Sequence, residues 1–96
     1  MNEQDFIELL NSVARIAKPF DNGYKDVTAL SDKLVDSGLD SLDLLLTSVY
    51  LCDIFNIDEE KGKQFQPITV QDVYDFLMAN KTQTPSSVEE ALKGIK

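Results

Sequence analysis

Residues 38–43 read Gly-Leu-Asp-Ser-Leu-Asp, and they set one hydroxyl between two carboxylates where an irregular stretch gives way to a long apolar one. Gly38 breaks the chain, Asp40 is a good N-cap, and neither Gly nor Pro occurs from there through residue 55, so a helix is predicted to open at this point. A phosphate esterified to Ser41 would then sit at a helix N-terminus, where unpaired backbone N–H groups and the positive end of the dipole favour an anion. The chain contains no histidine, and nothing beside Ser41 can serve as its base, so an outside enzyme has to activate the hydroxyl. Ser41 reads as a substrate of modification, not a catalyst. Position alone leaves open a simpler role, in which Asp40 and Ser41 do no more than start a helix.

Composition narrows the remaining chemistry. With 96 residues the chain builds one domain around a small core, and 43% hydrophobic and 27% charged residues are ordinary for a folded protein. Seventeen Asp+Glu against nine Lys+Arg leave a net charge of −8, which repels nucleic-acid phosphates and anionic lipids and favours basic protein partners. No histidine and a single cysteine mean that no Ser–His or Cys–His pair and no tetrahedral zinc site can form. No metal site is therefore expected. Asp58, Glu59 and Glu60 lack the alternating ligands of a calcium loop, and Asp40 with Asp43 would at most attract a divalent cation weakly. Cys52 lies among apolar residues and reads as a reduced, partly buried thiol. With an acidic start and no apolar run near the roughly 18 residues of a membrane span, the expectation is a cytoplasmic monomer without membrane association.

The elements that must position Ser41 are helical. Asn2 caps a first helix with Asp5 in its first turn, and Phe6, Leu9, Leu10, Val13, Ile16 and Ala17 recur along one face up to Pro19. Residues 18–40 hold Pro19, Gly23 and Gly38, yet Val27, Leu30, Leu34, Val35 and Leu39 recur often enough to predict a long loop pinned to the core. The second helix spans 40–55, and 58–65 form a short irregular turn weakened by Gly62. The last main helix covers 70–80, opened by Thr69 with Asp72 at the capping-box position. Residues 81–85 read as a polar spacer. Ser86 and Glu89 then form a capping-box pattern before Val88, Ala91, Leu92 and Ile95, a helix too short to stand alone, which needs the domain or a partner to cover it.

Asp40-Ser41-Leu42, with Asp43 after it, resembles the phosphopantetheine attachment site of the acyl carrier protein family. Leu30, Leu34, Gly38, Leu51, Phe55 and the Thr69-Val70 opening fall in the family's order and spacing, so the resemblance covers about residues 3 to 80. It implies an all-α, four-helix bundle of acyl-carrier type, with a long loop between the first and second helices, as a domain of residues 1–80; residues 81–96 add the spacer and tail helix. It implies that Ser41 carries 4′-phosphopantetheine, whose thiol holds an acyl cargo as a thioester. Asp40, as cap, would help recognition by a phosphopantetheinyl transferase. The protein would be a non-catalytic phosphoprotein serving acyl-loading, condensing or acyl-transfer enzymes of fatty-acid or polyketide type.

The second helix is apolar on two sides. At 100° per residue, Thr47, Ser48, Leu51 and Phe55 lie within roughly 60° of Leu44, while Leu42, Leu45, Leu46 and Val49 lie opposite. Hydrophobicity alone would bury the second set. The resemblance implies the reverse, with Leu44, Thr47, Ser48, Leu51 and Phe55 around a cargo pocket and Leu42, Asp43, Leu45, Leu46 and Val49 meeting partners. It also places Leu46, Cys52 and Ile54 at exposed positions where typical fatty-acid carriers have acidic residues, with Lys61 and Lys63 beyond. That departure points to a specialised lipid or polyketide-type pathway whose enzymes meet an apolar helix. The alternatives are an aminoacyl or peptidyl carrier, and an arm-free helical adaptor that binds protein through the same face.

Overall fold

A computed structural model describes residues 2–17 and 24–93 of the chain. The described regular structure is helical: α1 Glu3–Ala17, α2 Ser41–Phe55, α3 Glu59–Gln64, α4 Val70–Asn80 and α5 Val88–Leu92, with a 3-10 turn at Leu34–Ser37. An antiparallel bridge joins Lys33 to Thr69. The chain is therefore all-α among the described residues. No helix there is long and apolar enough to cross a membrane.

Helix α1 begins where Asn2 Oδ1 accepts the Asp5 N–H at 2.8 Å. Its Phe6, Leu9, Leu10 and Val13 are buried, whereas Ile16, on the same periodicity, is exposed at the helix end. Phe6 meets Tyr74 of α4 edge-on, with ring centroids 5.1 Å apart. Pro19 lies outside the described residues.

Asn11, a polar residue on the buried side of α1, holds the loop that follows. Its Nδ2 donates to the Val27 carbonyl at 3.0 Å, and its Oδ1 accepts from the Val27 N–H at 2.9 Å and the Tyr24 hydroxyl at 2.6 Å. Burial first, and then the Asp26 carboxylate, push the Tyr24 hydroxyl up to about 12, so it stays a neutral donor to Asn11. Val27, Leu34 and Leu39 are buried as pins, and Leu30 packs against the core. Val35 does not; it is 66% exposed. The 3-10 turn explains this, because three residues per turn put Leu34 and Ser37 on the inward side and leave Val35 facing away.

The loop is also tied to the start of α4. The Leu34 N–H donates to the Ile68 carbonyl, and the Val70 and Gln71 N–H groups donate to Asp32 and Leu30. Thr69 and Asp72 form the expected capping box. The Ile68 and Thr69 N–H groups hold the Asp72 carboxyl below its ordinary value, and the Thr28 and Ala29 N–H groups do the same for Asp32. For a folded pKa below the unfolded one, the stabilisation is present above the unfolded value and is lost as pH falls through the folded value. The acid limb of a stability-against-pH curve is expected to be shallower in the Asp32→Asn/Asp72→Asn double variant than in the parent. Superimposable limbs would contradict these caps.

Gly62 has a packing function that a helix-weakening glycine does not convey. A Cβ built there would lie 2.7 Å from Cys52 Sγ, so α3 approaches α2 as closely as it does because this position is bare. Cys52 and Ile54 are buried, at 0% and 7% exposure, which corrects their placement on the exposed side of α2. Each stands about 80° from Leu44, one on either flank of the inward face, where neighbouring chain covers it. Burial, followed by the nearby charges of Asp53, Glu59 and Asp58, raises the Cys52 thiol pKa. Gly62→Ala is expected to destabilise by about 1–3 kcal/mol through overpacking, and to do so less in a Cys52→Ala background. A stabilised Gly62→Ala protein would mean that the about 1 kcal/mol gain in helix propensity wins and the contact is slack.

Residues 81–85 are more than a spacer. The Thr82 and Gln83 N–H groups both donate to the Phe55 carbonyl, Thr82 Oγ1 donates to Asn56 O, and Gln83 Nε2 donates to Ile54 O. They satisfy carbonyls that the C-terminus of α2 leaves without helical partners. The segment then delivers α5 onto α1, with Ala91 buried and Val88 and Leu92 packed on the core. The cap of α5 is Ser87, whose Oγ accepts the Glu90 N–H, one residue later than the Ser86/Glu89 pairing expected from sequence. Ile95 lies outside the described residues.

Candidate functional site

Three local devices bring Ser41 to the surface. Gly38 adopts a left-handed conformation, φ 91° and ψ 9°, which ends the 3-10 turn and turns the chain toward α2. Leu39 is buried and anchors the junction. Asp40 is extended, its Oδ1 accepts the Asp43 N–H at 2.9 Å, and Asp43 Oδ2 accepts the Asp40 N–H at 3.2 Å, closing a capping box around the first turn. Asp43, assigned to partners by resemblance, thus also holds the helix start. Ser41 is the first residue of α2 and is exposed, between exposed Asp40 and Leu42.

Beside Ser41 lies a hollow of about 430 Å³. Leu44 and Leu45 of α2 form one side of it, Phe65, Gln66 and Pro67 another, and Lys63 of α3 contributes a cation. The Lys63 ammonium is 3.9 Å from Glu60 on an exposed surface, a spacing worth little in water. An exposed hydroxyl at a helix start thus adjoins a hollow of mixed polar and apolar lining that includes the Lys63 cation.

The five residues assigned to a cargo pocket are divided. Ser48 and Leu51 line a narrow apolar cleft with Phe65, Val73, Phe76 and Leu77, too tight to admit a water molecule. Thr47 is buried but does not line this cleft, and its Oγ1 donates to the Asp43 carbonyl one turn earlier at 2.7 Å. Phe55 is fully buried in the core, and Leu44 is half-buried at the wall of the outer hollow. The opposite side of α2 is open: Leu42 is 64% exposed, Leu45 40% and Leu46 37%, while Val49 is half-buried. Val35 and Ile68 add two more exposed apolar side chains.

Sequence reasoning passed over Phe65, Phe76 and Ile68. Phe76 had a signal, since it falls one helical turn after Val73 on α4. Phe65 and Ile68 flank a proline in an irregular stretch where no periodicity operates. Among the described residues no three His, Cys, Asp or Glu side chains cluster as metal ligands. Compared with protein-family models, with curated proteins and with solved structures, the chain matches none of them.

Proposed function

We propose that this protein is a carrier of acyl intermediates, held as thioesters on a 4′-phosphopantetheine arm attached to Ser41. The observation that carries the reading is the exposed Ser41 hydroxyl at the first residue of α2, where Asp40 and Asp43 do the capping and leave the serine with no part in holding the fold. In this reading α1 to α4 are the four helices of an acyl-carrier-type bundle, the segment before α2 is its long loop, and α5 is an appended strut. Asp40 and the acidic surface guide a basic transferase, and the Leu42, Leu45, Leu46 and Val49 face meets loading, condensing or acyl-transfer enzymes of a specialised lipid or polyketide-type pathway. The buried hydroxyls of Thr47 and Ser48 make the interior less apolar, which favours short or oxygenated cargo over a long saturated chain. Incubation with a phosphopantetheinyl transferase and coenzyme A tests the reading by intact mass: one phosphopantetheine group is expected on the protein.

A second reading rests on the exposed Leu42, Leu45, Leu46, Val35 and Ile68, since exposed large apolar side chains can mark a protein contact. An arm-free adaptor would use that surface and gain no mass. An aminoacyl or peptidyl carrier would gain the arm and differ in what it is loaded with.

A further inference from the structure

We propose that Phe65 selects the cargo, admitting planar aromatic or conjugated acyl groups to the interior and keeping saturated chains of similar length outside. The inference rests on the carrier reading of Ser41. Among the described residues, Phe65 is the one that lines both the hollow beside Ser41 and the narrow cleft of Ser48, Leu51, Val73, Phe76 and Leu77. Its ring lies on that of Phe76 with centroids 4.1 Å apart and planes inclined by only 12°. The cleft as packed has no room even for water, so a group entering it has to move a wall, and Phe65 is the wall it shares with the arm's hollow.

The residue is placed to move. It follows the last turn of α3, where its N–H donates to the Gly62 carbonyl and its backbone is already extended, and its side chain is only half-buried. Displacing it forfeits the stack on Phe76 and uncovers the Phe76 face. A flexible methylene chain replaces part of the lost dispersion but none of the quadrupole-matched stacking. A flat π-system of about one ring's size can take the vacated position on Phe76 and recover both.

The test compares octanoyl and cinnamoyl groups loaded from their coenzyme A thioesters by a transferase, each read as a melting-temperature shift against the same protein carrying the unacylated arm. In the parent, cinnamoyl is expected to raise the melting temperature by about 4 °C and octanoyl by less than about 1 °C. Phe65→Ala is expected to let octanoyl stabilise as well, and Phe76→Leu to abolish the cinnamoyl shift. Phe65→Leu, which keeps apolar bulk without a stackable ring, serves where the alanine variant does not fold. The comparison within the parent needs no variant. An octanoyl shift in the parent equal to or larger than the cinnamoyl shift, or an octanoyl shift unchanged by either Phe65 substitution, would overturn the selection by Phe65 while leaving the carrier reading in place. A parent that takes up no phosphopantetheine mass removes both.

Discussion

Ser41→Ala is expected to gain no mass from a phosphopantetheinyl transferase and coenzyme A, and to melt within about 0.5 kcal/mol of the parent. The first half follows from chemistry, because a phosphodiester needs the hydroxyl oxygen. The second follows from the site: Ser41 is exposed, the first-turn N–H bonds go to Asp40 and Asp43, and alanine is the stronger helix former. Asp40→Ala makes the contrast, since it removes the cap itself and should cost about 1 kcal/mol. Other serines are poor substitutes. Ser37 and Ser48 are buried, Ser12 donates to the Glu8 carbonyl within α1, and Ser87 caps α5. Ser31 and Ser86 are exposed but open no long helix. Intact-mass spectra decide the matter, and a modified Ser41→Ala protein would move the attachment site elsewhere.

Leu46→Glu and Leu51→Glu are expected to behave oppositely although only four residues of one helix separate them. Leu46 is 37% exposed on the outer side of α2, so a glutamate there stays solvated, and stability should change by no more than about 0.5 kcal/mol. Leu51 is 2% exposed and lines the inner cleft, whose other walls are Ser48, Phe65, Val73, Phe76 and Leu77. A carboxylate placed there is buried without a cation. The loss should exceed about 3 kcal/mol, a large part of the stability of so small a domain. Val49, half-buried, should fall between them. Circular-dichroism melts compare the three, and a Leu46→Glu protein as unstable as Leu51→Glu would make the outer face the core. If the outer face docks partner enzymes, Leu46→Glu also reduces acyl transfer with the fold intact.

The helices were legible because their signals are local. Asn2, Asp40 and Thr69 each precede an apolar run and each accept the backbone N–H expected of a cap. Apolar spacing marked the buried side of α1 down to Val13. Where two patterns competed, local signals lost their force. Helix α2 carries two apolar faces, and simple hydrophobicity would bury the more aliphatic one, yet Leu42, Leu45 and Leu46 are the exposed set. The resemblance to acyl carriers implied that orientation, whereas composition and periodicity opposed it.

The acidic charge, the absence of histidine, the helix starts and the one serine placed at the head of a long helix are all properties of the sequence itself, because each depends on residue type or on neighbours within a turn. Tertiary structure decided what depends on distant chain. Cys52 is buried because Gly62 lets α3 come close, and residues 82 and 83 cap α2 because the chain returns past its C-terminus. Asn11 grips Val27 from sixteen residues away, and Phe65 lines both the hollow at Ser41 and the inner cleft while it stacks on a ring of α4. The physical reason is common to all four: a cap or an amphipathic stripe is written within a few residues, whereas a contact between elements exists only after the chain has folded them together.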